Sequence, residues 1–248
     1  MVQMNPPISI ICCTYGRPER LEEMLYSLLI QDYKGVMERI ILNDREDQKL
    51  TCLSHGIINT EIRFPDLGTK RAYANSLASF DIVTTVDDDD IIMPWHISEM
   101  VKGLQGVVQD GLGFYLPSHY FFVKGSTSLE CSLKGKGPAG VPIYTKALYE
   151  KAGGYPAWNS GQDQKLLGRM RAVWKEPKDQ PIIKPSYLYR WADGGHHFSG
   201  NTDGNEYIRA KEKRDAITGK IELKPRWKHD YHAVIKNSLE EWETKISQ

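Results

Sequence analysis

Three short runs of β-branched and aliphatic residues, ISIICCT (8–14), ERIILND (38–44) and DIVTTV (81–86), alternate with stretches of helical period over the first hundred residues. No other feature constrains the fold as tightly. Strand–helix alternation of this kind implies right-handed crossovers and a mostly parallel sheet. RPERLEEMLYSLLIQDY sets Leu21, Met24, Leu25, Leu28 and Leu29 on one helical face, with Pro18 suited to a first turn. LGTKRAYANSLASF reads as a second helix, and PWHISEMVKGLQ starts a third at Pro94. From about residue 111 the pattern changes. GFYLPSHYFFVKG and TSLECSLKG read as antiparallel strands, 145–152 and 163–174 as helices, and SYLYRW (186–191) as a short strand. The tail from 205 is polar and helix-prone.

Composition excludes several classes. Lys and Arg together number 32, as do Asp and Glu, so net charge argues for neither a nucleic-acid nor a membrane partner. The apolar runs fall far short of the roughly 20 residues a transmembrane helix needs. MVQMNPPISI has no basic region followed by an apolar stretch, so no secretory signal is expected. Cys12, Cys13, Cys52 and Cys131 lack C-x-x-C spacing and read as reduced thiols. A soluble, cytoplasmic chain is the expectation.

The chemistry gathers where strands end. Ligands of open α/β sheets bind at the carboxyl ends of the strands. Thr14–Arg17 follow the first strand, Asp44 the second, and Asp87–Asp90 the third. Adjacent carboxylates at a buried strand end are expensive unless a cation neutralises them. Hard oxygen donors suit Mg²⁺ or Mn²⁺, which typically take one or two carboxylates with substrate phosphates and water. The bland alternative is a solvated loop in which Asp90 caps the next helix.

The order of these blocks resembles family 2 glycosyltransferases, nucleotide-sugar enzymes of the GT-A fold. ISIICCTYGRPERLEEMLYSLLIQDY…ERIILND is similar to the family's opening, and GTKRAYANSLASFDIVTTVDDDDIIMP to the block that ends in its D-x-D motif. GGYPAWNSGQDQKLLGRM resembles the segment holding the general base. YLYRWADGGHHFSG resembles the late segment that supplies a histidine to the metal. Gly16 and Ala72 stand where the family commonly has Asn, Phe80 where Gly is common, and Gln162 where Glu is usual.

The resemblance implies a Rossmann-like, mostly parallel central sheet flanked by helices, with a small antiparallel sheet. The GT-A catalytic domain is expected over 1–204, with a nucleotide-binding half to about 110, an acceptor half after it, and a helical C-terminal extension over 205–248. It also implies a metal-dependent, inverting hexosyl- or pentosyltransferase using a nucleoside diphosphate sugar, a UDP-sugar. Thr14, Tyr15 and Arg17 would line the base and ribose pocket, and Asp44 would accept a hydrogen bond from the base. Lys70 or Arg71 would approach base or phosphates, and Asp87 and Asp88 would sit against the nucleotide. Asp89 is implied as the direct metal ligand, with Asp87 in support and His197, or else His196, completing the sphere. Asp163 is the implied general base, unless it serves to cap the 163–174 helix.

The acceptor stays open among a glycan, a lipid-linked sugar, a protein hydroxyl and a hydroxymethylated base in DNA. The last draws on KPRWKHDYH (224–232), which interleaves basic and aromatic residues as phosphate contacts or base stacking would need. A nucleotidyltransferase on a similar scaffold would want a Gly-rich phosphate loop near residue 14, and TYGRPER has one glycine. A non-catalytic sugar- or nucleic-acid-binding protein is the third alternative.

Overall fold

Ile8–Thr14 forms β1, and Ile8, Ile10, Ile11 and Cys12 are buried along it. A run apolar on both faces suits a strand covered on both sides, and β1 lies inside the main sheet of this computed structural model, which describes residues 5–125, 128–135, 141–191 and 216–247. Parallel neighbours flank it: β2 (Met37–Asn43) and β5 (Ile82–Thr85). β4 (Ile57–Asn59) adds a parallel edge beside β2. On the other side β10 (Ile143–Thr145) runs antiparallel to β5, and β7 (Phe114–Tyr115) antiparallel to β10, giving the order β4-β2-β1-β5-β10-β7.

A second sheet has the order β6-β11-β8-β9, from β6 (Ile91–Ile92), β8 (His119–Lys124), β9 (Glu130–Gly135) and β11 (Tyr187–Trp191). The antiparallel strands expected there pair as β8 with β9, while β11 joins β8 in parallel. β3 (Gln48–Cys52) pairs in parallel with β12 (Gly219–Leu223), so the C-terminal stretch holds a strand as well as its expected helix.

α1 (Pro18–Leu29) starts with Pro18 in its first turn and buries Leu21, Met24, Leu25 and Leu28. Leu29 departs from the expected face and is 48% exposed, whereas Glu23 and Ser27 are buried. The reason is the C-terminal segment, which lies along that flank: Trp227 Nε1 donates to Ser27 Oγ at 2.9 Å and Lys228 N to Glu23 Oε1 at 3.0 Å. α2 (Leu67–Ser76) is capped by Asp66, which accepts from Thr69 N at 2.7 Å. α3 (His96–Gln105) begins two residues after Pro94, whose carbonyl instead accepts from Asp32 N at 2.8 Å. α4 (Lys146–Lys151) and α5 (Gln162–Val173) match the two helical stretches expected there. α6 (Tyr231–Ile246) closes the described chain and packs Tyr231 and Ile235 with Phe121, Val123 and Leu188 of the second sheet.

All four cysteines are free thiols. Among the described residues no helix is long and apolar enough to cross a membrane.

Candidate active site

The carboxyl ends of β1, β2 and β5 lie side by side because these strands are parallel neighbours. Thr14 and Asn43 pair at the last register position of β1 and β2, so Tyr15–Arg17, Asp44 and Asp87–Asp90 emerge at one rim. A pocket of about 190 Å³ opens there, lined by Thr14, Tyr15, Arg17, Asp44, Lys70 and Asn159 among others. That is below the roughly 300–1,000 Å³ of whole small-molecule sites, so it has room for only part of a ligand of that size.

Asp44 and Lys70 join the first two strand ends. Lys70 Nζ forms a close ion pair with Asp44 and donates to the Thr14 carbonyl at 2.5 Å. Asp44 Oδ2 accepts from Phe64 N at 3.1 Å. Lys70 is 4% exposed, so the helix lysine of the K-R pair is a buried tie. Tyr15 presents its ring to two guanidinium groups, Arg63 at 4.7 Å and Arg45 at 5.8 Å from the centroid.

The four aspartates have four environments. Asp87 pairs with Arg71, and its side chain keeps 32% exposure. Asp88 is fully enclosed, taking the Thr14 hydroxyl at 2.6 Å and a close pair from Arg17. Asp89 accepts from Arg17 Nη1 at 2.6 Å. Asp90 accepts from the Tyr187 hydroxyl and, at 2.9 Å, from Arg190 N. It therefore anchors β11, where the sequence suggested a helix cap.

Burial and the adjacent charges of Asp89 and Asp87 push the Asp90 carboxyl well above the ordinary carboxylate range. Burial also raises Asp88, although Arg17 opposes it. Burial works against the charge on Arg17 as well, but the pull of Asp88 and Asp89 outweighs it and the guanidinium titrates above its ordinary value. Arg71 behaves likewise: desolvation is overcome chiefly by Asp87, with Asp163 among the smaller contributions.

Arg71 connects the aspartate run to α5, because its Nη1 donates to Gln162 Oε1 at 3.0 Å. Gln162 thus has a use at a position where the resemblance suggested Glu. Asp163 follows in the first turn of α5, half-buried, and accepts from Gln164 N at 2.8 Å. The cap position belongs to Gly161, in the left-handed region with φ 69° and no side-chain bond, so Asp163 is not the helix cap. Trp158 is half exposed and Lys165 stands 5.8 Å above its ring.

His196 and His197 lie outside the described residues. Among the described residues no three His, Cys, Asp or Glu side chains gather round one point. The donor set at the rim, Asp87 and Asp89, is all carboxylate oxygen. Those donors fit a hard divalent ion held jointly with substrate phosphates.

Several site residues escaped the sequence reading. Arg63 and Asn159 line the pocket, yet single residues in loops carry no periodic signal. Gly68 is more legible in hindsight: a Cβ there would lie 1.8 Å from the Pro156 carbonyl oxygen. That glycine lets the 156–159 segment lie on α2, where Gly68 N donates to Trp158 O at 3.0 Å and Leu67 N to Asn159 Oδ1 at 3.1 Å.

Residues 9–118 match the family described as Glycosyl transferase family 2. No curated protein sequence matches the chain. Among solved structures, Staphylococcus aureus TarS 1–349 in complex with UDP-GlcNAc is similar, with a TM-score of 0.56 and 16% identity over 84% of this chain and 65% of that one. The mannosyltransferase PcManGT from Pyrobaculum calidifontis, in complex with GDP-Man and Mn²⁺, is similar with a TM-score of 0.50 and 15% identity over 95% of this chain and 68% of that one. At such identities the likeness is one of fold. The chain spans about 60% of the length of TarS 1–349 in another of its structures.

Proposed function

Because residues 9–118 match glycosyl transferase family 2 and the architecture is GT-A, we propose that this chain is a metal-dependent, inverting glycosyltransferase. It moves a sugar from a UDP-sugar to an acceptor hydroxyl. The observation that carries the reading is that Asp44 and Lys70 pair in the lining of the pocket, while the next residue, Arg71, ties Asp87 to Gln162 beside Asp163. The donors bound in the two similar structures, UDP-GlcNAc and GDP-Man, are both nucleoside diphosphate sugars.

On this reading the base enters the pocket beside Tyr15, and Asp44 accepts a hydrogen bond from it. Lys70 holds Asp44 in place for that contact, and Arg63 is placed to lie across the base. Asp87 and Asp89 would hold Mg²⁺ or Mn²⁺, with His197 or His196 as the further ligand proposed from the sequence. Held there, such an ion would supply Lewis-acid stabilisation of the negative charge on the departing diphosphate. Asp163 takes the acceptor proton as the acceptor oxygen bonds to the anomeric carbon and the bond from that carbon to the phosphate oxygen breaks. Attack opposite the leaving group inverts the anomeric centre.

Trp158, half exposed beside the pocket-lining Asn159, offers an aromatic face to a sugar ring, and we take a glycan hydroxyl as the acceptor. A DNA base gains no comparable support. Trp227 packs edge-on with Tyr26 and Tyr231, and Tyr231 is buried, so two aromatic residues of the basic stretch are used inside the fold.

The test is incubation with Mn²⁺, a panel of nucleotide sugars and short oligosaccharides. Release of UDP with a mass gain on the oligosaccharide is expected. Release of pyrophosphate from a nucleoside triphosphate would instead make the chain a nucleotidyltransferase.

A further inference from the structure

Glu23 is a carboxylate on the buried face of α1, only 2% exposed. Its oxygens accept from Arg190 Nη1 at 2.5 Å, from the Tyr231 hydroxyl at 2.9 Å and from Lys228 N at 3.0 Å. Arg190 also donates to the Tyr231 hydroxyl at 3.1 Å. The same arginine then reaches the aspartate run twice: Nε donates to the Asp89 carbonyl at 2.5 Å, and its backbone N donates to Asp90 Oδ1 at 2.9 Å. A continuous chain of bonds therefore runs from the first turn of α6, through α1 and β11, to the backbone of Asp89.

None of Glu23, Arg190 and Tyr231 lines the pocket. A buried ion pair returns little net stability over a well-packed apolar replacement, so stability alone is a weak account of this one. What the pair defines is position, since it grips a carbonyl and a side chain within a turn that has only two residues of strand after it.

We infer that Glu23, Arg190 and Tyr231 form a positioning strut that fixes the Asp87–Asp89 turn for the cation and diphosphate, and so makes the C-terminal helix part of the donor site. The inference rests on the donor-site reading given above.

Tyr231→Phe isolates the effect, because it keeps the ring that packs edge-on against Trp227 and removes only the hydroxyl. UDP binding is measured by calorimetry on the full chain, in Mn²⁺ and separately in EDTA, with circular dichroism as the check on folding. The strut predicts that binding in Mn²⁺ weakens about tenfold, the size of one hydrogen bond to a charged group, while binding in EDTA is unchanged. Glu23→Gln, which keeps shape and removes the charge, should show the same selectivity. Equal weakening in both buffers would reduce the network to general packing and overturn the inference. Unchanged binding in both would overturn it as well. If the unsubstituted chain gains no UDP affinity from Mn²⁺, the donor-site reading fails and the strut falls with it.

Discussion

Replacing Arg17 by Ala tests how the aspartate run is held. Arg17 supplies the cation facing both Asp88 and Asp89, whose side chains are 0% and 5% exposed. Without it, Asp88 keeps the Thr14 hydroxyl but loses the ion pair that opposes its burial. Removing one partner of a buried pair costs about 3–5 kcal/mol. At roughly 2–4 °C per kcal/mol for a chain of this size, the melting midpoint should fall by roughly 6–20 °C.

The loss should depend on pH in a stated direction. The folded variant keeps a proton on Asp88 to higher pH than the unfolded chain does, where a carboxyl titrates near about 3.9. Stability therefore declines as pH rises from that value through the raised folded one, and the variant is weaker at pH 8 than at pH 5 relative to the parent. Mn²⁺ supplies the second arm. An ion at about 100 times its dissociation constant adds about 2.7 kcal/mol, and it should stabilise Arg17→Ala more than the parent, where the guanidinium competes. Scanning fluorimetry across pH, with and without Mn²⁺, reads both. An unchanged midpoint, or a variant that Mn²⁺ fails to rescue, would refute the assignment of Arg17 as counter-ion to a cation-binding turn.

Asp163→Asn should lower kcat by roughly 10²–10⁴, the usual worth of a general base, with UDP affinity unchanged; calorimetry beside turnover separates the two. Gly68→Ala drives a methyl into the Pro156 carbonyl, and the strain should lower stability by about 1–3 kcal/mol and weaken UDP binding by displacing Asn159, as urea titration and calorimetry would report. His96 is buried with its Nδ1 2.9 Å from Ser186 Oγ, and burial pushes its pKa down to about 3. Its neutral form therefore contributes stability above the unfolded value near about 6.5, and that contribution is lost at up to about 1.4 kcal/mol per pH unit as pH falls toward about 3. Urea unfolding of His96→Gln should show a shallower acid limb, and an identical slope would remove His96 as its source.

The parallel centre of the main sheet was legible because β1, β2 and β5 hold clustered β-branched and aliphatic residues set between helical periods. β3, β4 and β12 were not, since three to five residues of mixed polarity make no pattern until a partner lies beside them. The same limit explains Leu29 and Glu23. A helical wheel places apolar residues inward, but which flank is covered depends on chain some 200 residues later. In the candidate site, position at the strand ends marks Thr14–Arg17, Asp44 and Asp87–Asp90, and the resemblance marks Lys70 and Arg71. What could not be read was their pairing, Lys70 with Asp44 and Arg71 with Asp87, because it depends on how α2 lies across the strand ends.

The pairing has a consequence for the charge of the rim. Asp44, Asp87, Asp88 and Asp89 face Lys70, Arg71 and Arg17, four carboxylates against three cations. Arg190 is answered by Glu23, and Asp90 is pushed toward its protonated form. Among these paired side chains carboxylates therefore outnumber cations by one, with Asp163 close enough to act on Arg71. A diphosphate entering alone would meet that excess of negative charge. On the proposed reading, the divalent ion therefore strengthens binding of the diphosphate as well as assisting its departure. The exposed third of Asp87 is where the turn meets it first, since Asp88 is sealed and Asp89 lies behind Arg17.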